Sequence, residues 1–156
     1  MKRAQAMIET VFAVVFLTAL FLVLMQLSRM LQARIMLDHA AARAARAKAV
    51  GFNDFMCLKS ARVAMIPVAG ERVWPAEGDW SEAARVPAYL EAENEGRARG
   101  ILEYEHWRTT SIDVWSGGGI GSTARADILM ATEDFRMDGK AEVESHYPLY
   151  MYDQGR

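Results

Sequence analysis

The chain has 156 residues, with 18 Lys or Arg against 20 Asp or Glu, so its formal net charge is −2. This length leaves room for one domain and one additional element. The balanced charge argues against nucleic acid as the partner, because nucleic-acid-binding domains carry a basic excess. The apolar fraction is 52%, and much of it lies in one block near the N-terminus.

That block covers residues 7–25, which read MIETVFAVVFLTALFLVLM and contain one charged residue, Glu9, and no Gly or Pro. A transmembrane helix needs about 20 apolar residues to cross about 30 Å of hydrocarbon, so the run predicts a membrane span. The buried helix of a soluble protein is one alternative, but so short a chain could hardly surround it. A cleavable secretory signal is another, but the run exceeds the usual length of about 7–15 residues.

The helical signal continues through residues 26–50, which contain no Gly or Pro and are rich in good helix formers. An apolar stripe at helical spacing is formed by Met30, Ala33, Leu37, Ala41 and Ala44. A polar face is formed by Arg29, Gln32, His39, Arg43 and Arg46. This amphipathic pattern predicts that the domain covers one face of the helix. Gly51 predicts the end of a continuous helix of about 45 residues, about 65 Å long.

Glu9 is the most informative residue of the apolar run. A carboxylate inside a membrane span costs a few kcal/mol on insertion scales, so it usually marks a function. One interpretation is a tolerated charge near the headgroups. The other is that a positive group of another subunit neutralises it, because an unpaired charge in a low-dielectric setting is strongly unfavourable.

The N-terminal sequence KRAQAMIE, followed by the apolar helix, resembles the signature of type IV pilin precursors. The resemblance implies that a prepilin peptidase removes residues 1–4 by cutting between Ala4 and Gln5. Glu9 would then be the fifth residue of the mature chain, about one helical turn from the new ammonium of Gln5, and the two would form the assembly charge pair. The family usually has Gly before the cut and often Phe after it, where this chain has Ala4 and Gln5.

Among pilin-like families, the chain resembles the TadE type of the Tad pilus system. The segment DHAAARAARA, residues 38–47, is similar to the Ala/Arg-rich stretch that follows the TadE membrane helix. Residues 143–149, VESHYPL, are similar to that family's closing strand. The resemblance implies a minor pilin or pseudopilin with a C-terminal domain that is periplasmic or extracellular, in a single-pass protein of the bacterial inner membrane.

The predicted organisation is a leader at 1–4, a transmembrane and stalk helix at 5–50, and a globular head at 51–156. The fold class is α+β, with the long helix packed on a small antiparallel sheet. Within the head, residues 65–87 predict an irregular connection, and Pro87 predicts the start of a helix that continues to about residue 107.

Three strands are predicted from partial alternation of apolar residues, at 109–115, 123–132 and 140–148. The glycine-rich segment 117–121 separates the first two. The Asp138-Gly139 pair separates the last two and predicts a hairpin turn, because Asp-Gly is a preferred turn sequence.

Residues with reactive side chains form no recognisable catalytic or metal-binding motif. His39, His106 and His146 lack metal-ligand spacing, and the glycine-rich segment lacks the Lys of a phosphate-binding loop. Cys57 is the single cysteine and is interpreted as a small buried side chain, with an intermolecular bridge or reactive thiol as the alternative. We therefore expect neither an enzyme nor a cofactor.

The four tryptophans, Trp74, Trp80, Trp107 and Trp115, are expected to pack in the core, or in one or two cases to anchor a subunit interface. Expected partners are other pilin-like subunits through the N-terminal helix, the prepilin peptidase, the inner-membrane pilus assembly platform and the lipid bilayer. The alternative function is a permanently anchored periplasmic module of an envelope or secretion complex. A membrane-tethered enzyme is the weakest interpretation.

Overall fold

The computed structural model describes residues 2–75, 82–116, 120–129 and 134–143. The α-helices are α1 (Lys2–Ala49), α2 (Asp54–Ala64), α3 (Glu82–Glu91) and α4 (Glu95–Arg99). The strands are β1 (Arg72–Trp74), β2 (Glu103–Tyr104), β3 (Ser111–Ser116), β4 (Ile120–Leu129) and β5 (Asp134–Val143). Short 3₁₀ helices cover Ile66–Val68 and Glu105–Trp107. The predicted α+β class is confirmed. The chain divides into two compact units, residues 1–32 and residues 33–156.

Helix α1 is continuous over 48 residues and ends where the sequence predicts. Gly51 adopts a positive φ of 95°, a conformation that favours glycine. Its N–H donates to the carbonyl of Lys48 at 2.9 Å, and the N–H of Phe52 donates to the carbonyl of Ala47 at 3.1 Å. These two bonds form a Schellman motif, which satisfies carbonyl groups that would otherwise be unpaired at the helix end.

Within the second unit, the predicted apolar stripe of α1 is buried. Ala33, Leu37, Ala41 and Ala44 are at most 1% exposed and belong to one core cluster with Ala124 and Ala126 of β4. Small side chains on both surfaces allow the helix to approach the sheet closely.

Two polar contacts fix that approach. The hydroxyl of Ser122, which is fully buried, donates to the carbonyl of Ala41, and the backbone N–H of Lys140 donates to the Asp38 carboxylate at 3.1 Å. A buried hydroxyl requires such a partner, because an unmade hydrogen bond costs about 1–3 kcal/mol. The contacts therefore hold β4 and β5 in register with the helix.

The three-stranded sheet is antiparallel in the order β3-β4-β5. The predicted strand at 123–132 overlaps β4, and the predicted first hairpin is confirmed by the pairing of Ser116 with Ile120. The second predicted turn is wrong. Asp138 and Gly139 lie in the middle of β5, paired with Arg125 and Ala124.

Gly139 serves close packing instead of a turn. A Cβ atom at this position would lie 2.3–2.6 Å from backbone atoms of Leu37 and Asp38. Only glycine lets the strand pass so near the helix backbone. The pattern that resembles a hairpin therefore reflects a contact between residues about 100 positions apart.

The helices of the head also differ from the prediction. Pro87 lies inside α3, and the chain leaves the helical conformation after Glu91, so the single helix predicted from Pro87 to about residue 107 is wrong. Asn94 starts α4, because its side chain accepts from the N–H of Arg97 at 2.9 Å. Asn53 caps α2, a helix that the sequence analysis did not predict, by accepting from the N–H of Met56 at 2.8 Å.

A second core cluster is built from aromatic side chains. Trp107 is 2% exposed, and its ring centre lies 5.0 Å from that of Tyr89 and 4.9 Å from that of Tyr104. Lys59 is fully buried beside the cluster and donates to the carbonyls of Leu90 and Ala92 at 2.5 and 2.7 Å. The lysine therefore satisfies carbonyl groups at the C-terminal end of α3.

The tryptophans divide between the two roles that the sequence left open. Trp107 packs in the core, whereas Trp74 is 51% and Trp115 is 38% exposed. Trp80 lies outside the described residues.

Cys57 is fully buried, and burial raises the pKa of its thiol, so its interpretation as a buried side chain is confirmed.

The close approach at Gly139 generates a stability prediction. We expect Gly139→Ala to lower the free energy of unfolding by about 1–3 kcal/mol, because the added methyl group would meet helix backbone that cannot move aside alone. The measurement is urea unfolding of the full chain in detergent, followed by circular dichroism. Gly96→Ala is the matched control: its Cβ would lie 3.6 Å from the nearest atom, so it should be neutral or slightly stabilising. Equal stability of the two variants would contradict the assigned contact.

Tyr104 generates a pH prediction. Burial raises the pKa of its hydroxyl, and the Glu82 carboxylate that accepts its hydrogen bond raises the pKa further. The native state therefore holds this proton more tightly than the unfolded chain does. The resulting stabilisation is complete below about pH 10 and is lost as the pH rises above that value. We expect the free energy of unfolding to fall more steeply above about pH 10 in the natural chain than in Tyr104→Phe. If the free energy of unfolding varied with pH in the same way in both proteins, the Tyr104 hydroxyl would have no such role.

Candidate functional site

The first unit contains a long run of exposed apolar side chains. The large ones from Met7 to Leu24 are all exposed, with Phe12 at 71% and Phe16 at 69%. Helix α1 is long and apolar enough to cross a membrane, and its most apolar window is not buried by any other part of the described chain. An exposed apolar surface of this extent is unfavourable in water and is typical of a helix that can lie in lipid.

The polar side chains within the run are arranged to suit a lipid setting. The hydroxyl of Thr10 donates to the carbonyl of Ala6, and that of Thr18 donates to the carbonyl of Val14, both at 2.8 Å. Each bond returns to the helix's own preceding turn, so neither hydroxyl needs water. Within residues 7–25, Glu9 thus differs from the two threonines, because no hydrogen bond to its own helix satisfies its side chain.

Glu9 is exposed, and no ion pair or hydrogen bond connects its side chain to the described part of the chain. It lies four residues after Gln5 in the same continuous helix. Residues with this spacing lie on one face, about 6 Å apart along the helix axis. The backbone of Ala4 and Gln5 is helical, and their side chains lie outside the described residues. The backbone positions of Gln5 and Glu9 are therefore one helical turn apart.

The described residues contain no group of three or more side chains that could hold a metal ion. His39 lies on α1, whereas His106 lies in the 3₁₀ helix at Glu105–Trp107. His146 lies outside the described residues, as do residues 144–149 of the predicted closing strand.

The fold also brings together a cluster of polar side chains that the sequence analysis did not identify. Arg62, Tyr89 and Trp107 come from α2, α3 and a 3₁₀ helix, and they meet at a small cleft. Their spacing in the chain matches no motif, so only the fold brings them together.

The geometry defines a class of protein: a helix suited to a membrane, joined to a small α+β head. Residues 4–46, which make up most of α1, match the family described as TadE-like protein. The resemblance to the TadE type, inferred in part from the Ala/Arg-rich segment, is confirmed over these residues, consistent with a TadE-like protein of the Tad system. Searches of curated proteins and of solved structures found no match to the chain.

If residues 7–25 face lipid, the effect of an added charge on membrane insertion should depend strongly on its position along α1. Phe16→Arg combined with Leu20→Arg should greatly reduce membrane insertion, since each arginine near a span centre costs about 2.5–3.5 kcal/mol. The measurement is the fraction of the chain that resists alkaline extraction from membranes. Leu31→Arg with Ile35→Arg is the matched control, because these residues are also exposed on α1 but lie beyond the apolar run. If both pairs extract equally, residues 7–25 are not the span.

Proposed function

We propose that the chain is a membrane-anchored minor pilin or pseudopilin that takes part in assembly of a Tad-type pilus. The observation that carries the proposal is Glu9, an exposed carboxylate without a partner in the described chain, set in an apolar helix that matches the TadE-like family. A subunit that remained alone in lipid would gain nothing from this charge. In a subunit that joins others, the carboxylate can form an ion pair with a positive group of a neighbour.

The proposed chemistry begins with removal of residues 1–4 by a prepilin peptidase. Hydrolysis between Ala4 and Gln5 creates an α-ammonium at Gln5, one helical turn from Glu9. The ammonium of the same chain or of a neighbouring subunit then pairs with the carboxylate. Because an unpaired charge is costly in a low-dielectric setting, the pair fixes the axial position of one helix against the next.

The proposed role is structural and uses no cofactor. The proposed location is the bacterial inner membrane, with one span and the head in the periplasm or outside the cell. The proposed partners are other pilin-like subunits, the assembly platform of the pilus and the lipid bilayer. The hundred or so residues after α1 favour a minor subunit, since the resemblance implies that the major subunits of Tad pili are very short.

One observation favours a second function. Ala4 stands where pilin precursors usually have Gly, and an uncleaved chain would be a permanently anchored periplasmic interaction module. Intact mass of the membrane-derived protein distinguishes the two. Loss of residues 1–4 supports the pilin, and retention supports the anchored module. Under the first proposal, Ala4→Gly should raise or leave unchanged the processed fraction.

Glu9 yields the functional prediction. We expect Glu9→Ala and Glu9→Gln to insert into membranes normally but to enter assembled filaments about tenfold less, because each leaves a buried ammonium unpaired. The measurement compares the variant in membrane and sheared-filament fractions. Thr10→Ala is the control, since its hydroxyl bonds only within its own helix. Normal incorporation of both Glu9 variants would remove the basis of the charge-pair mechanism.

A further inference from the structure

The cleft in the second unit is built mainly from side chains that form hydrogen bonds. It has space for about one water molecule. Six of its lining residues carry a polar group: Arg62, Tyr89, Arg99, Glu103, Trp107 and Arg108. Neither the membrane helix nor the residues of the proposed charge pair contribute to it.

Three of these side chains bury a polar atom without a partner. Arg62, Tyr89 and Trp107 are 6%, 1% and 2% exposed. The Nε of Arg62 and the Nε1 of Trp107 have no hydrogen-bond partner in the part of the chain that the structure describes, and the hydroxyl proton of Tyr89 has no acceptor there. Such groups are rare in native proteins, and each one calls for an explanation.

The unpaired atoms are held in place by the surrounding contacts. Another nitrogen of Arg62 donates to the carbonyl of Trp107 at 3.1 Å, and Glu95 lies 3.5 Å from the guanidinium. Burial raises the pKa of Tyr89, although the nearby positive charge of Arg62 opposes the effect, so its hydroxyl keeps its proton. Three neighbouring groups can thus donate.

The chemistry of these donors selects the ligand. An Arg Nε–H and a Trp Nε1–H can only donate, so the group that satisfies them must accept. A water molecule would bring two hydrogens that need acceptors of their own. An oxyanion oxygen has the size of a water molecule, accepts several hydrogen bonds and brings no hydrogen.

The local charge also favours an anion. Three guanidinium groups, those of Arg62, Arg99 and Arg108, face two carboxylates. Glu95 pairs with Arg62 and with Arg99, the latter at 2.7 Å, while Glu103 pairs with Arg108 at 2.9 Å. One positive charge therefore remains in excess.

Two exposed arginines lie at the mouth of the cleft. The side chains of Arg99 and Arg108 are 52% and 64% exposed. The ion pair of Arg99 with Glu95 is exposed on both sides and is therefore weak, so Arg99 is free to turn towards an arriving anion. Arg108 remains paired through its Nε with Glu103, whose side chain is 12% exposed, and offers its terminal nitrogens to the anion.

We propose that this cleft binds an oxyanion, a carboxylate or phosphate group, with one oxygen on the buried donors and the rest of the group held by Arg99 and Arg108. The group belongs either to a free anion or to an acidic side chain of a partner protein. The proposal does not depend on the proposed pilin function.

The test is thermal unfolding of the full chain in nonionic detergent at constant ionic strength, with chloride replaced stepwise. The probes are acetate, inorganic phosphate and a short polyglutamate peptide. We expect a saturable rise of the unfolding temperature, because a ligand that binds only the native state stabilises it. Stabilisation by acetate or phosphate identifies free anions as sufficient. Stabilisation by the peptide alone identifies a partner's side chain as the source.

Matched variants separate binding from general salt effects. Arg99→Gln and Arg108→Gln should each weaken binding about tenfold, whereas Arg97→Gln, an equal charge change on the same short helix outside the cleft, should not. Tyr89→Phe should also weaken binding while preserving the ring. No stabilisation by any probe, or an equal response in the Arg97 and Arg99 variants, would overturn the proposal.

Discussion

The close packing of small side chains between α1 and the sheet is the contact on which the second unit depends. Alanines of the helix meet Ala124 and Ala126, and Gly139 passes directly over the helix backbone. A buried serine and an aspartate add hydrogen bonds at the same place. Larger side chains would separate the two surfaces and remove both the van der Waals contacts and these bonds. The register of β4 and β5 is thus tied to a single stretch of helix.

The two stretches of the same helix have different surfaces. Residues 7–25 present apolar side chains on every face, and their threonines bond only to their own backbone. From Ala33 onward the helix becomes one-sided, with an alanine-rich face that the chain covers itself. The proposed function uses this division, because a head that is stable on its own stretch of helix leaves the other stretch available for lipid or for other subunits. Under that proposal, Glu9 is the residue of the first stretch that gains from a partner's positive charge.

The local and periodic features of the fold were predictable from the sequence, and the long-range ones were not. The length of α1, its end at Gly51 and the buried stripe through Leu37 follow from composition and spacing. The Asp138-Gly139 pair led to a wrong turn prediction. Glycine is needed at position 139 because the strand contacts the backbone of a helix about 100 residues earlier in the chain. The Asn53 cap of α2 is a local signal that could have been recognised. In the candidate site, the position of Glu9 followed from the apolar run, whereas the cleft around Arg62 required the tertiary fold.

The central claim is that α1 passes from lipid to a covering by its own chain between residues 25 and 33. A nitroxide scan of the exposed and half-buried positions within residues 7–46 in lipid vesicles, on a Cys57→Ala background, tests it most directly. The account predicts high oxygen accessibility on all faces of residues 7–25. Beyond residue 33 it predicts a helical period, with labels at the exposed Arg43 and Arg46 accessible to a water-soluble relaxant and labels at the half-buried Met36 and Ala42 less accessible to it and to oxygen. A helical period already present within residues 7–25 would mean that protein covers that stretch, and would contradict the account.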